Sequence, residues 1–199
     1  MKRTLWRLPR GPIVLASSSP RRRMLLRAQG VPFRAAPQDV DETWRGEAPE
    51  TFARRLALEK AGAAAARRPR AWCLGADTVV ALDGRVLGKP GSRAEARRML
   101  RFLSGRTHRV VSGVALVGPG FRSARVVTTR VRFRRLAAAE IARYAASGEP
   151  DDRAGAYAAQ GLGATLVAAI EGDWFNVVGL PLGTARELFA AAARRGGRG

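Results

Sequence analysis

The chain has 199 residues, 36 Lys and Arg against 16 Asp and Glu, a formal charge of +20, and 46% apolar residues. One domain is the default at this length and a sizeable core is affordable. No run approaches the roughly 18 apolar residues of a membrane span, and the single cysteine, Cys73, excludes an internal disulfide and a cysteine-built zinc site. The charge points first to nucleic acid or an anionic membrane. The arginines, however, are scattered without interleaved aromatics on which bases would stack. Neither a stable nucleic-acid partner nor a membrane is therefore expected.

Residues 1–12 read as a basic N-terminal tail, because Pro9, Arg10 and Gly11 interrupt its apolar part before a signal-peptide core forms. A cytoplasmic location is expected. Ile13 to Ser17 reads as a short buried strand. In "VLASSSPRRRMLL", Ser19 suits an N-cap, Pro20 the first helical position and Gly30 the helix end. "VPFRAAP" is a second strand candidate, and Pro49 to Arg68 reads as a helix with Phe52, Leu56 and Ala63 on one face. "AWCLGADTVVALDGRVLGKP" reads as strand, Asp83-Gly84 turn, strand. Ser92 and Glu95 form a capping box for a helix to about Leu103. Arg109–Val117 and Ala124–Phe133 read as a long hairpin around Gly-Pro-Gly, Ala137–Ser147 as a helix, and "GEPDDRAGAYAAQGLG" as a glycine-rich loop. Ala164–Ile170 reads as a strand and Leu182–Arg194 as the last helix. Strands and helices mixed without strict alternation predict an α/β fold with a mixed sheet.

A strand, a turn of small residues and a helix start place free N–H groups and the positive end of the helix dipole outward, a ready anion site. Ser17 to Ser19 add hydroxyls and Arg21 to Arg23 add charged donors. This is not a Walker loop, and taken alone the commoner reading is a capped surface helix with solvated arginines. Asp39, Asp41 and Glu42 cluster in "DVDET", and Asp77 is read at the C-terminal end of an apolar strand, where ligands of open α/β sheets bind. A carboxylate there is a metal ligand, a general base or a turn residue. Only Lys2, Lys60 and Lys89 are lysines, against 33 arginines. In such a chain a lysine marks a place that wants a compact point charge rather than a planar fork. His108, the only histidine, reads as structural. It cannot form a histidine-rich metal cluster, and no G-x-S-x-G elbow supports serine–histidine catalysis. Cations and hydroxyls for phosphate, acids for a divalent metal and a glycine-rich loop together suit metal-assisted phosphoanhydride hydrolysis.

These residues resemble the Maf family of nucleoside triphosphate pyrophosphatases. The matching blocks run in order from Ile13 to about Leu188: "LASSSPRR", "DET", "LALEKA", "GADTVV", "GKP", "SGEPDDRAGAY", "QGLGA" and "NVVGLPL". The resemblance implies a mixed, elongated sheet flanked by helices around a central substrate cleft, as in the related ITPase-like folds. It implies one catalytic domain of two lobes over residues 13–193, with 194–199 a tail. It also implies hydrolysis of a nucleoside triphosphate to the monophosphate and pyrophosphate with Mg²⁺ or Mn²⁺, and a homodimer, although no stretch marks an interface. By the same resemblance Asp77 is the proton acceptor and a metal-site acid, and Glu42 the second metal-site acid. Ser17, Arg22, Lys60 and Lys89 face phosphate. Arg21, Thr78 and Gln160 match the branch acting on dTTP and UTP, for which the resemblance implies a role in clearing surplus or non-standard pyrimidine nucleotides. The rivals are a 7-methyl-GTP or broader modified-nucleotide pyrophosphatase and, from another class, a non-catalytic nucleic-acid-binding or cell-division regulator. Three loop positions depart from the family pattern: Arg153 stands for lysine, and Ala158 and Ala159 for glycine and a larger apolar residue. Ala158 would be strained if that backbone needs a positive φ.

Overall fold

The computed structural model describes residues 4–195. Their strands are β1 (Ile13–Leu15), β2 (Arg34–Ala35), β3 (Trp72–Leu82), β4 (Arg85–Leu87), β5 (Thr107–Gly118), β6 (Phe121–Phe133) and β7 (Val167–Glu171). Their helices are α1 (Pro20–Ala28), α2 (Pro49–Ala66), α3 (Arg93–Leu103), α4 (Ala138–Ala146), α5 (Trp174–Val178) and α6 (Leu182–Arg195). The strands make one sheet in the order β2-β1-β3-β5-β6-β7, with β4 also on β3. β1 is parallel to β2 and β3, whereas β4 is antiparallel to β3 and β7 to β6, so the sheet is mixed as expected. The described residues divide into two compact units: those within 4–77, 112–127 and 179–195 form the first, and 78–111 and 128–178 the second.

In the first unit, β1 is an apolar triplet buried throughout, as an interior parallel strand requires. Helix α2 lies against β3 and β5 at two glycines. A Cβ on Gly75 would stand 2.2 Å from the Ala57 carbonyl oxygen, and one on Gly113 would stand 2.1 Å from that of Ala53. Only glycine admits a helix backbone so close. The buried stripe of α2 is therefore Phe52, Ala53, Leu56, Ala57, Lys60, Ala61 and Ala64. It contains Lys60 and leaves Ala63 half-buried, a correction to the face read from the sequence. The segment expected to be a tail reaches the core: Trp6 is buried with its ring 6.0 Å from that of Phe189 on α6. Lys2, the remaining lysine, lies outside the described residues, as do 196–199.

In the second unit, α3 and α4 cover a core that includes Leu100, Leu103, Val131, Phe133, Ile141 and Leu166. Asp83 and Gly84 both have positive φ, 49° and 72°, as a tight hairpin between β3 and β4 demands. Strand β3 runs five residues past Asp77, so Asp77 is not at its end. Val79 to Leu82 are apolar, and Val80 to Leu82 pair with β4. The pairing of β3 with β1, however, stops at Leu74, and Asp77 does lie beyond the C-terminal end of β1. Strand β5 begins two residues earlier and ends one later than predicted, and β6 begins three residues earlier and ends at Phe133 as expected. Two 3-10 turns, Ala154–Ala156 and Gly161–Leu166, occupy the glycine-rich loop and delay β7 to Val167. The pattern "VPFRAAP" yields only the two residues of β2, and the five-residue α5 was not anticipated.

Candidate active site

The first unit carries a charged centre built from three separate segments. Lys60 projects from the buried stripe of α2, Asp77 from β3, and Glu42 from the loop before α2. The Lys60 ammonium donates to Asp77 Oδ1 at 2.7 Å and lies 2.7 Å from Glu42 Oε1. Lys60 and Asp77 are each 7% exposed, whereas the Glu42 side chain is 59% exposed. The glycine contact at Gly75 explains the meeting: it brings α2 onto β3 one helical turn and one strand pleat away from these side chains. Asp39 and Asp41 do not join the centre. The Thr43 hydroxyl, the Thr43 N–H at 2.9 Å and then Arg45 hold the Asp41 carboxyl well below the usual range.

The second cluster is the stretch "SSSPRRR". Ser19 caps α1 by accepting the Arg22 N–H, and Pro20 takes the first helical position, as expected. Arg22 turns back into the protein. Its Nη1 donates to Ser17 Oγ at 3.1 Å and its Nε to the Gly179 carbonyl at 2.8 Å, in the segment before α6. Ser17 Oγ also accepts the Ser19 N–H at 3.2 Å. Burial pushes the Arg22 pKa down and the charge of Asp77 opposes this, with smaller influences from Arg21 and Glu42. Arg22 thus lies in the electric field of the Lys60 centre, while Arg21 is half-buried beside it on α1.

Thr78, Lys89 and Gln160 belong to the second unit. Thr78 is half-buried on β3, and Lys89 and Gln160 are exposed, Lys89 just after β4 and Gln160 at the start of a 3-10 turn. His108 is structural, as read: its Nε2 lies 2.8 Å from the Tyr157 hydroxyl, and burial lowers its pKa to about 4. Ala158 has no positive φ, so its replacement of glycine is unstrained; the loop's left-handed alanine is Ala156, φ 59°. Arg153 pairs with Asp152 at 2.8 Å.

Arg55 escaped the sequence reading. Its Nη2 donates to the Thr43 carbonyl at 3.0 Å and its Nη1 to that of Asp41 at 3.5 Å, one on each side of Glu42. Glu47 accepts from Nε and Nη2 at 3.0 and 2.7 Å and raises the Arg55 pKa. The only signal in the sequence was the Arg55–Glu59 pair at helical spacing, which any solvated helix face shows.

Residues 12–192 match the family described as Maf-like protein. The dTTP/UTP pyrophosphatase of Myxococcus xanthus is 54% identical over 181 residues, covering 90% of this chain and 92% of that protein. The dTTP/UTP pyrophosphatase of Moorella thermoacetica is 55% identical over 184 residues, covering 89% and 93%. The Ham1 protein of Staphylococcus aureus, a solved structure, is similar at TM-score 0.47 and 18% identity over 78% of this chain and 79% of that one, too loose a likeness to argue from. A family match across 12–192 and relatives above half identity over nearly their whole length make the chain a member of the Maf family.

Proposed function

We propose that the chain is a nucleoside triphosphate pyrophosphatase that hydrolyses dTTP and UTP to the nucleoside monophosphate and pyrophosphate. The observation that carries this reading is the identity, above half, to proteins named for that activity over about nine-tenths of their length. The charged centre supports it: a buried lysine joined to two carboxylates, with a buried arginine in their field, is the equipment that a polyphosphate and its counter-ion need.

No group of three or more His, Cys, Asp or Glu side chains among the described residues would cage a metal alone. Glu42 and Asp77, whose oxygens meet at one ammonium, suit a small hard cation that takes one or two carboxylates and completes its shell with phosphate and water. These two residues would hold Mg²⁺ or Mn²⁺, which when bound would offset phosphate charge and polarise a phosphoryl oxygen. Pyrophosphate release requires water to attack the α-phosphorus as its bond to the bridging oxygen breaks. Asp77 takes a proton from that water. Lys60 keeps the carboxylates from repelling each other and the substrate. Arg22, held by Ser17 and Gly179, meets phosphate as an oriented donor, and Lys89 adds a second charge. Arg21, Thr78 and Gln160 choose the base, an amide being able both to donate to and to accept from a uracil or thymine edge.

We take the enzyme to work in the cytoplasm as a homodimer; no helix of the described residues is long and apolar enough to cross a membrane. The test is incubation with Mg²⁺ and a panel of dTTP, UTP, CTP and 7-methyl-GTP, with pyrophosphate and orthophosphate measured separately. Pyrophosphate from dTTP and UTP is expected. Orthophosphate, turnover of 7-methyl-GTP in preference, or no turnover of any nucleotide sinks the reading.

A further inference from the structure

One acid of the second unit has no part in the chemistry above, yet it receives a concentrated set of donors. Glu149 Oε1 accepts from the Tyr144 hydroxyl and from the Gly163 N–H, both at 2.9 Å, and its Oε2 accepts the Leu162 N–H at 3.0 Å. The same Tyr144 hydroxyl accepts the Ala158 N–H at 3.0 Å. Burial pushes the Tyr144 phenol up, so it keeps the proton that it gives to Glu149. The pair therefore fixes the backbone two residues before Gln160 and two and three residues after it. Gln160 itself is extended, φ −109° and ψ 163°, and opens an exposed run, Gln160 to Leu162, between buried Ala159 and Gly163.

The loop is closed tightly on this pair. Gly161 has φ +70°, and a Cβ there would stand 2.5 Å from Glu149 Oε2. A Cβ on Gly163 would stand 2.5 Å from the Tyr144 hydroxyl oxygen and 2.4 Å from the Ala158 carbonyl oxygen. A second anchor lies upstream, where His108 holds Tyr157 and the Gly155 N–H donates to the Gly88 carbonyl at 3.0 Å. A loop free to move would lose backbone entropy for each residue ordered on binding. A loop already clamped does not, and it presents its amide to one base edge rather than to many.

We infer that Glu149, acting through Tyr144 and directly on Leu162 and Gly163, is a positioning residue for base selection, holding the backbone that presents Gln160. The inference rests on the pyrophosphatase reading and deepens it. The test uses the full chain with Glu149→Ala, Glu149→Gln and Tyr144→Phe. Steady-state kinetics on UTP, dTTP and CTP are combined with amide hydrogen exchange. Glu149→Ala should raise KM for UTP and dTTP about tenfold and narrow the preference over CTP by a similar factor, the scale of one charged hydrogen bond, with kcat within about twofold. Exchange should accelerate at Ala158, Leu162 and Gly163 and stay unchanged elsewhere. Glu149→Gln, which keeps one acceptor oxygen, should recover part of both effects, and Tyr144→Phe should free Ala158 alone. Unchanged KM and preference in Glu149→Ala overturn the inference while the wild type still cleaves UTP. So does a fall in kcat alone that tracks the unfolded fraction, which is what a merely structural residue would give. A wild type that turns over neither UTP nor dTTP overturns the pyrophosphatase reading and takes this inference with it.

Discussion

An ammonium 2.7 Å from two carboxylates at once is the most consequential charge arrangement in the described residues. Removing it leaves Asp77 buried without its partner, a situation that costs about 3 kcal/mol or more. Lys60→Met should therefore lower the urea midpoint as well as activity, whereas Asp77→Asn should abolish pyrophosphate release and keep the fold. Full activity in Asp77→Asn would remove Asp77 from its role as proton acceptor. His108 gives a second prediction with a definite sign. Its folded pKa, about 4, lies below the ordinary 6.5 because burial disfavours the cation. Between those values the unfolded chain binds a proton that the folded chain refuses, so stability falls as pH drops through that window. The loss reaches about 2 kcal/mol by pH 5. Urea midpoints at pH 7 and pH 5 measure it. His108→Gln should flatten the difference, and an equal slope in that variant would assign it to other groups.

Helix α2 is the element that assembles the centre, and it does so by backbone contact. With Cβ distances of 2.2 and 2.1 Å at Gly75 and Gly113, an alanine at either place must push the helix away from the sheet. Gly75→Ala should lower stability by roughly 1–3 kcal/mol, the usual cost of overpacking, and cut turnover more than stability because Lys60 moves with the helix. Thermal melting beside kinetics checks this, and turnover that falls only with the folded fraction would deny the helix its positioning role. The loop carrying Glu42 depends on α2 in another way, through the Arg55 fork on the carbonyls of Asp41 and Thr43. Arg55→Lys keeps the charge but not the fork, so it should reduce activity about tenfold and require more Mg²⁺ for half-maximal rate. A magnesium titration of both proteins decides.

A chain of net charge +20 repels itself and attracts polyanions. Both effects are screened as the Debye length shortens from about 10 Å at 0.1 M salt. Raising KCl to about 0.5 M should therefore raise Tm and lower kcat/KM for a nucleoside triphosphate, chiefly through KM. A Tm that falls instead would mean that ion pairs such as Arg55–Glu47 outweigh the general repulsion.

The sequence shows what local chemistry can decide. Ser19 and Pro20 start α1, Ser92 starts α3, Asp83-Gly84 turns the hairpin, and the apolar periods place most helices within a residue or two. In each case the deciding interaction lies within a few residues of chain. It also singled out Lys60 and Asp77, because a lysine in an arginine-rich chain and an acid after an apolar run are visible in one dimension. That Lys60 lies on the buried stripe, and that its ammonium joins Glu42 to Asp77, emerges from packing. That depends on a close approach at Gly75 which no periodicity encodes. Arg55 and Glu149 were likewise illegible, since each acts by holding backbone groups 12 to 14 residues away, and a backbone carbonyl or N–H carries no mark in the sequence of which side chain will reach it.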